Sequence, residues 1–209
     1  MEHMKLTLPN GSLDIEKSEH LRTVLKFTSE FCGVLDGLKI KYVLVSGFVV
    51  LVFGRQRMTE DIDVFMERIG AKRYAELLKA LSKRGFEPIS TSYYEQMSES
   101  NVRFANRKYG FPNPNMQVGF PKSEVDAFSL DNPLRISVDK KIFLMSEIEL
   151  QIAFKLKRFE HGKMEKDLED AVFLCKVLTK NSLLNKEILL KRIDEFKVRR
   201  VYDKYLGGL

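Results

Sequence analysis

The sequence is poor in the residues that build disulfides and zinc sites. Its only two cysteines, Cys32 and Cys175, lie far apart among apolar residues of predicted helices, so we expect buried, reduced thiols. The three histidines, His3, His20 and His161, show no metal-ligand spacing. These shortages argue against a disulfide framework and against a zinc site.

Long apolar segments are missing as well. The longest apolar run, residues 42–54, falls short of the roughly 18 residues that suggest a membrane span. The opening MEHMKLTLPN has no apolar core of the kind found in signal peptides. We therefore expect a cytoplasmic protein without a membrane partner.

What the sequence does contain is enough apolar material for a folded core. Of 209 residues, 44% are hydrophobic and fifteen are phenylalanine, which predicts either one domain with a proper core or one core domain with a helical extension. The formal net charge of +6 favours anionic partners such as nucleotides and nucleic acid. Proteins without such partners often share this charge, so it is supporting information only.

The central segment, residues 42–66, reads YVLVSGFVVLVFGRQRMTEDIDVFM. It predicts an apolar strand, a turn at Ser46 and Gly47, a short apolar helix, and a basic turn that carries Arg55 and Arg57. A small-residue turn that opens a helix lets phosphate approach backbone N–H groups. Ser46 and Gly47 are therefore candidate nucleotide-binding residues.

The segment ends in a second predicted strand that carries two acids. Residues two apart on a strand share a face, so Asp61 and Asp63 stand side by side. Neighbouring carboxylates repel each other unless a cation lies between them, and Mg²⁺ uses such pairs together with substrate phosphates. This alternation is common on exposed strands, but its combination with the preceding turn is far more specific.

This order of features resembles the DNA polymerase β-like nucleotidyltransferase superfamily. GRQRMTEDIDVFM is similar to the branch that contains abortive-infection (AbiEii-type) nucleotidyltransferase toxins, although Ser46 stands where that branch commonly has glycine. The resemblance implies an α/β (α+β) fold, with a mixed-sheet core, an N-terminal helix and a helical C-terminal part. It also implies metal ligation by Asp61 and Asp63 and two Mg²⁺ ions, or Mn²⁺.

The superfamily carries a third carboxylate on a later strand. Within MQVGFPKSEVDAFSL, residues 116–130, Glu124 and Asp126 repeat the acid-apolar-acid alternation. We expect a strand there and take Asp126 as the third metal ligand, with Glu124 as the second choice. The alternative is an exposed strand acid without a metal.

The last third of the sequence predicts helices. Ser146 and Glu149 form a capping-box pattern before a largely apolar helix that contains Lys155. SEIELQIAFKL and EKDLEDAVFL resemble the C-terminal motifs of the same branch, which implies nucleotide-binding roles for Lys155, Lys166 and Asp167. Alternatively, Lys155 is a snorkelling lysine, and the acids favour a helix N-terminus.

The remaining segments predict a core and a helical end. We expect helices over 14–38, 70–84 and 183–205, strands at KLTL, GFEPIS and 101–108, and a turn at 110–115. The basic residues of the last helix favour a solvated surface over an RNA-facing stripe. We divide the chain into a core, residues 1–140, and a helical subdomain, residues 141–209.

The leading functional hypothesis is transfer of a nucleoside monophosphate from a nucleoside triphosphate to an acceptor hydroxyl, releasing pyrophosphate. Arg55, Arg57 and Lys155 would add positive charge around the triphosphate. The acceptor is a tRNA or other RNA end, a protein or a small molecule, and a toxin of this type would have an antitoxin partner. The alternatives are a non-catalytic nucleotide-binding or partner-binding module and a two-metal nuclease.

Overall fold

A computed structural model describes residues 2–56, 61–89 and 102–209. Within them, one mixed sheet has the strand order β2-β1-β8-β9-β3-β4-β7-β6-β5. The strands are β1 His3–Leu8, β2 Gly11–Glu16, β3 Tyr42–Leu44, β4 Asp61–Met66, β5 Phe86–Pro88, β6 Val102–Asn106, β7 Gly110–Gly119, β8 Leu134–Val138 and β9 Lys141–Met145.

Helices cover the sheet and form the C-terminal part of the chain. They are α1 Glu19–Gly37, α2 Gly47–Val52, α3 Ala71–Lys83, α4 Glu124–Asp131, α5 Ile148–Gly162, α6 Glu165–Lys180, α7 Lys186–Glu195 and α8 Arg199–Tyr205. α1 packs on the sheet through aromatic contacts: Phe31 lies 5.2 Å from Phe86 and 5.6 Å from Phe104, measured between ring centroids.

The pairing pattern puts the acidic strand near the middle of the sheet. β4 runs antiparallel to β3 and parallel to β7, and β3 is also parallel to β9. β4 therefore has a strand neighbour on each edge: β7 pairs with its residues 61–65 and β3 with its residues 64–66. This arrangement confirms the predicted mixed sheet.

The N- and C-terminal helices differ from their predicted extents. α1 begins at Glu19 rather than Asp14, because residues 11–16 pair with β1 as a strand. The predicted helix over 183–205 is two helices, α7 and α8, and Lys197 between them has a positive φ of 57°. A residue in this left-handed region cannot continue a right-handed helix.

The largest difference concerns residues 116–130. β7 ends at Gly119, and α4 occupies Glu124–Asp131. Asp126 is therefore on a helix, and the strand predicted there is wrong. Ser123 caps α4, because its side chain accepts a hydrogen bond from the Asp126 N–H and the Asp126 carboxylate accepts one from the Ser123 N–H.

The C-terminal segment begins with a strand of the core sheet. β9, which directly follows the proposed domain boundary at residue 140, pairs with β8 and β3. The division of the chain into two parts stays a prediction. None of the helices in the described part of the chain combines the length and the apolar character that crossing a bilayer requires.

Candidate functional site

β4 presents two carboxylates on one face of the sheet. Asp61 and Asp63 are half-buried and alternate with fully buried apolar residues, as the two-residue period of a strand requires. Burial raises the pKa of Asp63; a hydrogen bond from the Ser46 hydroxyl lowers it, and the charge of Asp61 raises it. The cations Arg158 and Lys155 also lower this pKa, so both lie within electrostatic reach of Asp63.

The turn after β3 holds Ser46 beside this pair. The backbone N–H of Val45 donates to the carbonyl of Asp63 at 3.0 Å, which extends the β3–β4 pairing to the turn. Ser46 has φ 58° and ψ −123°, a conformation that favours glycine. Its N–H donates to Oε1 of the buried Gln151 at 2.9 Å. The Ser46 hydroxyl therefore interacts with Asp63, and the Ser46 N–H is hydrogen-bonded to Gln151.

A buried ionic network lies between α5 and α6. Lys155 is 2% exposed, and its Nζ lies 2.6 Å from Asp170 Oδ2 and 3.3 Å from Asp167 Oδ1. Arg158 Nε lies 3.1 Å from Asp167 Oδ2. Lys155 thus carries its charge inside the protein against two acids, which is not the geometry of a snorkelling side chain.

Arg55 joins this network from the turn that leaves α2. Its guanidinium is paired with Asp170, lies 2.6 Å from Glu169 Oε2 and donates to the Lys166 carbonyl at 3.4 Å. The charge of Arg55 is therefore neutralised within the protein, whereas the Lys166 side chain is exposed. Arg57, the other arginine proposed for this turn, lies outside the described residues.

The face around the carboxylates is closed at one end. Phe65, which shares the face of Asp63, packs with Val43, Val45 and Leu130 under α4. The side chain of Asp61, at the opposite end of β4, is 43% exposed. Among the described residues, the Phe65 end of β4 is therefore the more enclosed of the two.

The structure does not give Asp126 the strand position expected of a third carboxylate. Its Oδ2 accepts hydrogen bonds from the backbone N–H groups of Lys122 and Ser123, both at 3.0 Å. These bonds are those of a capping box, in which an acid in the first turn of a helix accepts from backbone N–H groups that have no partner within the helix. Glu124, the second choice, lies in the same helical turn.

Two amides and an arginine, which the sequence had not indicated, occupy the strands beside the carboxylates. Asn115 and Gln117 on β7 are the register partners of Asp61 and Asp63. Asn115 Nδ2 donates to Asp61 Oδ1 at 2.8 Å. Arg103 on β6 lies opposite Gln117, donates from Nε to its Oε1 at 3.1 Å, and has Nη2 3.7 Å from Asp61 Oδ2.

Gln151 and Arg158 were also missed, although the sequence held a signal for them. They lie four residues before and three after Lys155, and a helix places such positions on one face. A polar stripe at this spacing within the apolar stretch QIAFKLKR would have predicted a shared site. Asp170 had no comparable signal, since its partners come from α5 and from the turn after α2.

Neither a protein-family model nor a curated protein sequence matches this chain. Several solved structures do. An antigenic nucleotidyltransferase-like protein from Paracoccidioides brasiliensis has a TM-score of 0.55 at 16% identity, covering 91% of this chain and 93% of that one. ANT(2'')-Ia, solved with adenylyl-2''-tobramycin, has a TM-score of 0.54 at 11% identity, covering 85% and 99%.

A further similar structure is JHP933 from Helicobacter pylori, with a TM-score of 0.51 at 17% identity. The alignment covers 93% of this chain and 83% of that one. At these identities the likeness concerns the fold alone. The nucleotidyltransferase-like fold that the central motif predicted is thus confirmed.

Proposed function

We propose that this protein is a nucleotidyltransferase that moves a nucleoside monophosphate from a nucleoside triphosphate to an acceptor hydroxyl. The observation that carries the proposal is the Asp61–Asp63 pair on β4 beside the Ser46 turn, in a fold shared with nucleotidyltransferase-like proteins. The acceptor oxygen bonds to the α-phosphorus, the α–β phosphoanhydride bond breaks, and pyrophosphate leaves with the electron pair. The hydroxyl proton passes to solvent at the exposed Asp61 end.

The carboxylate pair fits a divalent cation. Asp63 is largely removed from water beside a second acid, and burial raises its pKa. A bound Mg²⁺ or Mn²⁺ would offset this repulsion and neutralise charge on the triphosphate. Asp61 and Asp63 would hold the ion, and the Ser46 hydroxyl would keep the Asp63 carboxylate oriented toward it.

The buried network would position this site. Lys155 and Arg158 lie on α5 and pair with Asp167 on α6, and Gln151 ties α5 to the Ser46 turn. The effect of Lys155 and Arg158 on Asp63 is electrostatic. We assign triphosphate contacts to Gly47 and to the exposed Lys166, with Arg57 as a further basic residue of the turn.

The acceptor is a hydroxyl of an RNA end, a protein or a small molecule. ANT(2'')-Ia, an antibiotic-resistance factor, was solved with adenylyl-2''-tobramycin, which makes an antibiotic one acceptor to test. The basic C-terminal helices give RNA little support, because Arg192 bonds to Glu147 and Arg199 bonds to Asp194. A toxin paired with an antitoxin protein is the biological setting that the sequence motifs favour.

A non-catalytic nucleotide-binding or partner-binding module is the second candidate. It is favoured by Gln117 and Asn115 beside the carboxylates and by the neutralisation of Arg55 within the protein. Such a module has no need of the metal. It would bind its ligand equally well after both carboxylates are replaced by amides.

The two candidates separate in one binding experiment. Each α-labelled nucleoside triphosphate is titrated with and without Mg²⁺ against wild type and the Asp61→Asn, Asp63→Asn double variant. An enzyme shows Mg²⁺-dependent binding that the variant loses, followed by label transfer to an RNA, protein or antibiotic acceptor. Asp14→Asn, an exposed strand aspartate on β2, is the matched control and should bind as wild type. Metal-independent binding that survives in the double variant would contradict the enzymatic proposal.

A further inference from the structure

Three side chains form a row on one face of the sheet. The register aligns Asp63 on β4, Gln117 on β7 and Arg103 on β6. Register partners point to the same face, so the amide and the guanidinium lie beside the carboxylates. The contact of Arg103 with Gln117 Oε1 at 3.1 Å and its approach to Asp61 Oδ2 at 3.7 Å fix this arrangement.

This row carries the wrong charges for a second metal ion. The family resemblance implies a carboxylate on a neighbouring strand to hold that ion, and the two β7 positions beside the pair hold neutral amides instead. Asn115 directs an N–H group at Asp61, and the Gln117 oxygen already accepts from Arg103. A second dication here would also meet the positive guanidinium. The described residues fit one divalent ion on Asp61 and Asp63, and among them no further carboxylate stands beside this pair to hold a second.

We propose that the site uses a single divalent ion and that the guanidinium of Arg103 takes the place of the second. This inference rests on the proposed nucleotidyl transfer. The ligand of Arg103 is a phosphate oxygen of the triphosphate, which a planar guanidinium binds through paired N–H groups. Its side chain is 50% exposed, and only the Nε hydrogen is used by Gln117, so N–H groups remain to face a substrate.

In the transfer step Arg103 supplies charge, and it makes no covalent bond. Negative charge builds on the oxygens of the α-phosphoryl group as the acceptor oxygen bonds to phosphorus and pyrophosphate departs. A fixed cation next to Asp61 neutralises that charge without moving during the reaction. Arg103 is therefore a specificity and catalytic residue that binds phosphate directly, and Gln117 is a positioning residue that holds it.

The test counts metal ions. Mn²⁺ bound per chain is measured by electron paramagnetic resonance in the presence of saturating α,β-methylene analogues of the four nucleoside triphosphates. We expect one Mn²⁺ in wild type and two in the Arg103→Gln, Gln117→Glu double variant, which removes the cation and restores a carboxylate. Arg103→Lys keeps the charge and loses the paired N–H groups, so it should still bind one ion and should lose less affinity for the analogue than Arg103→Gln does.

The single variant Arg103→Gln should bind one ion and lose about tenfold or more in affinity for the analogue, as expected for one charge-assisted contact. Two ions in wild type would overturn the single-ion site and leave nucleotidyl transfer standing. One ion in the folded double variant would overturn the exclusion of a second ion by Arg103 and Gln117. No Mn²⁺-dependent binding of any analogue by wild type would overturn the proposed function itself.

Discussion

Lys155 and Asp170 form an ion pair that is shut off from solvent: Nζ and Oδ2 are 2.6 Å apart, and the two side chains are 2% and 0% exposed. Asp170 also pairs with Arg55, so one acid joins α5, α6 and the turn that leads toward Asp61. Removing one member of a buried pair leaves an uncompensated charge, which is costly. We therefore expect the position of the turn that carries Arg55 to depend on this pair.

Lys155→Met should lower the free energy of unfolding by about 3–5 kcal/mol, because Asp167 and Asp170 lose their shared cation. Urea titration followed by circular dichroism measures the loss. The matched control is Lys157→Met on the same helix, whose ion pair with Glu160 is partly exposed and should contribute about 1 kcal/mol or less. Equal losses in the two variants would contradict a buried network that supports the site.

Asp63→Asn should raise the melting temperature of the metal-free protein at neutral pH. Burial raises the pKa of Asp63, so the folded state holds this proton more tightly than the unfolded state. The stability that Asp63 contributes therefore falls as pH rises from the ordinary aspartate range through the raised pKa. Asparagine does not titrate, so the stability of the variant lacks this pH dependence. The difference in melting temperature between the variant and wild type should therefore grow as pH rises from the ordinary aspartate pKa through the raised pKa, and it should vanish at lower pH.

Calorimetry at a series of pH values measures this difference, with Asp14→Asn as the exposed control. Saturating Mg²⁺ should stabilise wild type and leave the Asp63→Asn variant nearly unchanged, since ligands stabilise only the states that bind them. Melting temperatures that are equal for wild type and variant at every pH would argue that Asp63 is adequately solvated.

Ser46→Gly should be more stable than Ser46→Ala by about 1 kcal/mol or more, because φ at this position is 58°. Both changes remove the hydroxyl that bonds Asp63, so the difference in stability between the two variants reports the cost of the backbone conformation alone. The same pair of changes at Ser137 on β8, which is not a positive-φ position, should reverse the order, with glycine the less stable by about 0.5–1 kcal/mol. Chemical denaturation of the four variants gives the comparison.

Asp126→Ala should destabilise the protein by about 1 kcal/mol and leave the affinity for Mg²⁺ and triphosphate unchanged. The reason is that the Asp126 carboxylate closes the capping box of α4. Unfolding and triphosphate binding are measured on the same preparation, with Asp63→Asn as the variant that should lose binding. If Asp126→Ala were as stable as wild type and failed to bind triphosphate, Asp126 would have to be a metal ligand after all.

Local patterns predicted the elements well where neighbours in sequence decide the structure. Asp61 and Asp63 share a face because a strand has a period of two, and the apolar run before Gly54 with its small-residue turn gave β3 and α2. Lys155 was correctly placed on a largely apolar helix. Which side chains of these elements face the core can therefore be predicted from the local sequence alone.

Two similar Ser-x-x-acid patterns show the limit of this reasoning. Ser123 and Asp126, interpreted as part of a strand, form a true capping box, whereas Ser146 and Glu149, interpreted as a capping box, do not. The N–H of Ser146 donates instead to the Leu44 carbonyl at 2.9 Å, which continues the pairing of β9 with β3. A distant strand decided this outcome, and no local pattern contains it.

The sequence by itself determined that the protein carries two neighbouring carboxylates after a small-residue turn. What stands beside them was decided by the tertiary structure alone. Gln117 and Arg103 reach Asp63 and Asp61 because β7 and β6 align with β4 in one register, across separations such as the 54 residues between Asp61 and Asn115. Strand register depends on the packing of the whole sheet, so the amides and the arginine at the site could be identified only in the folded protein.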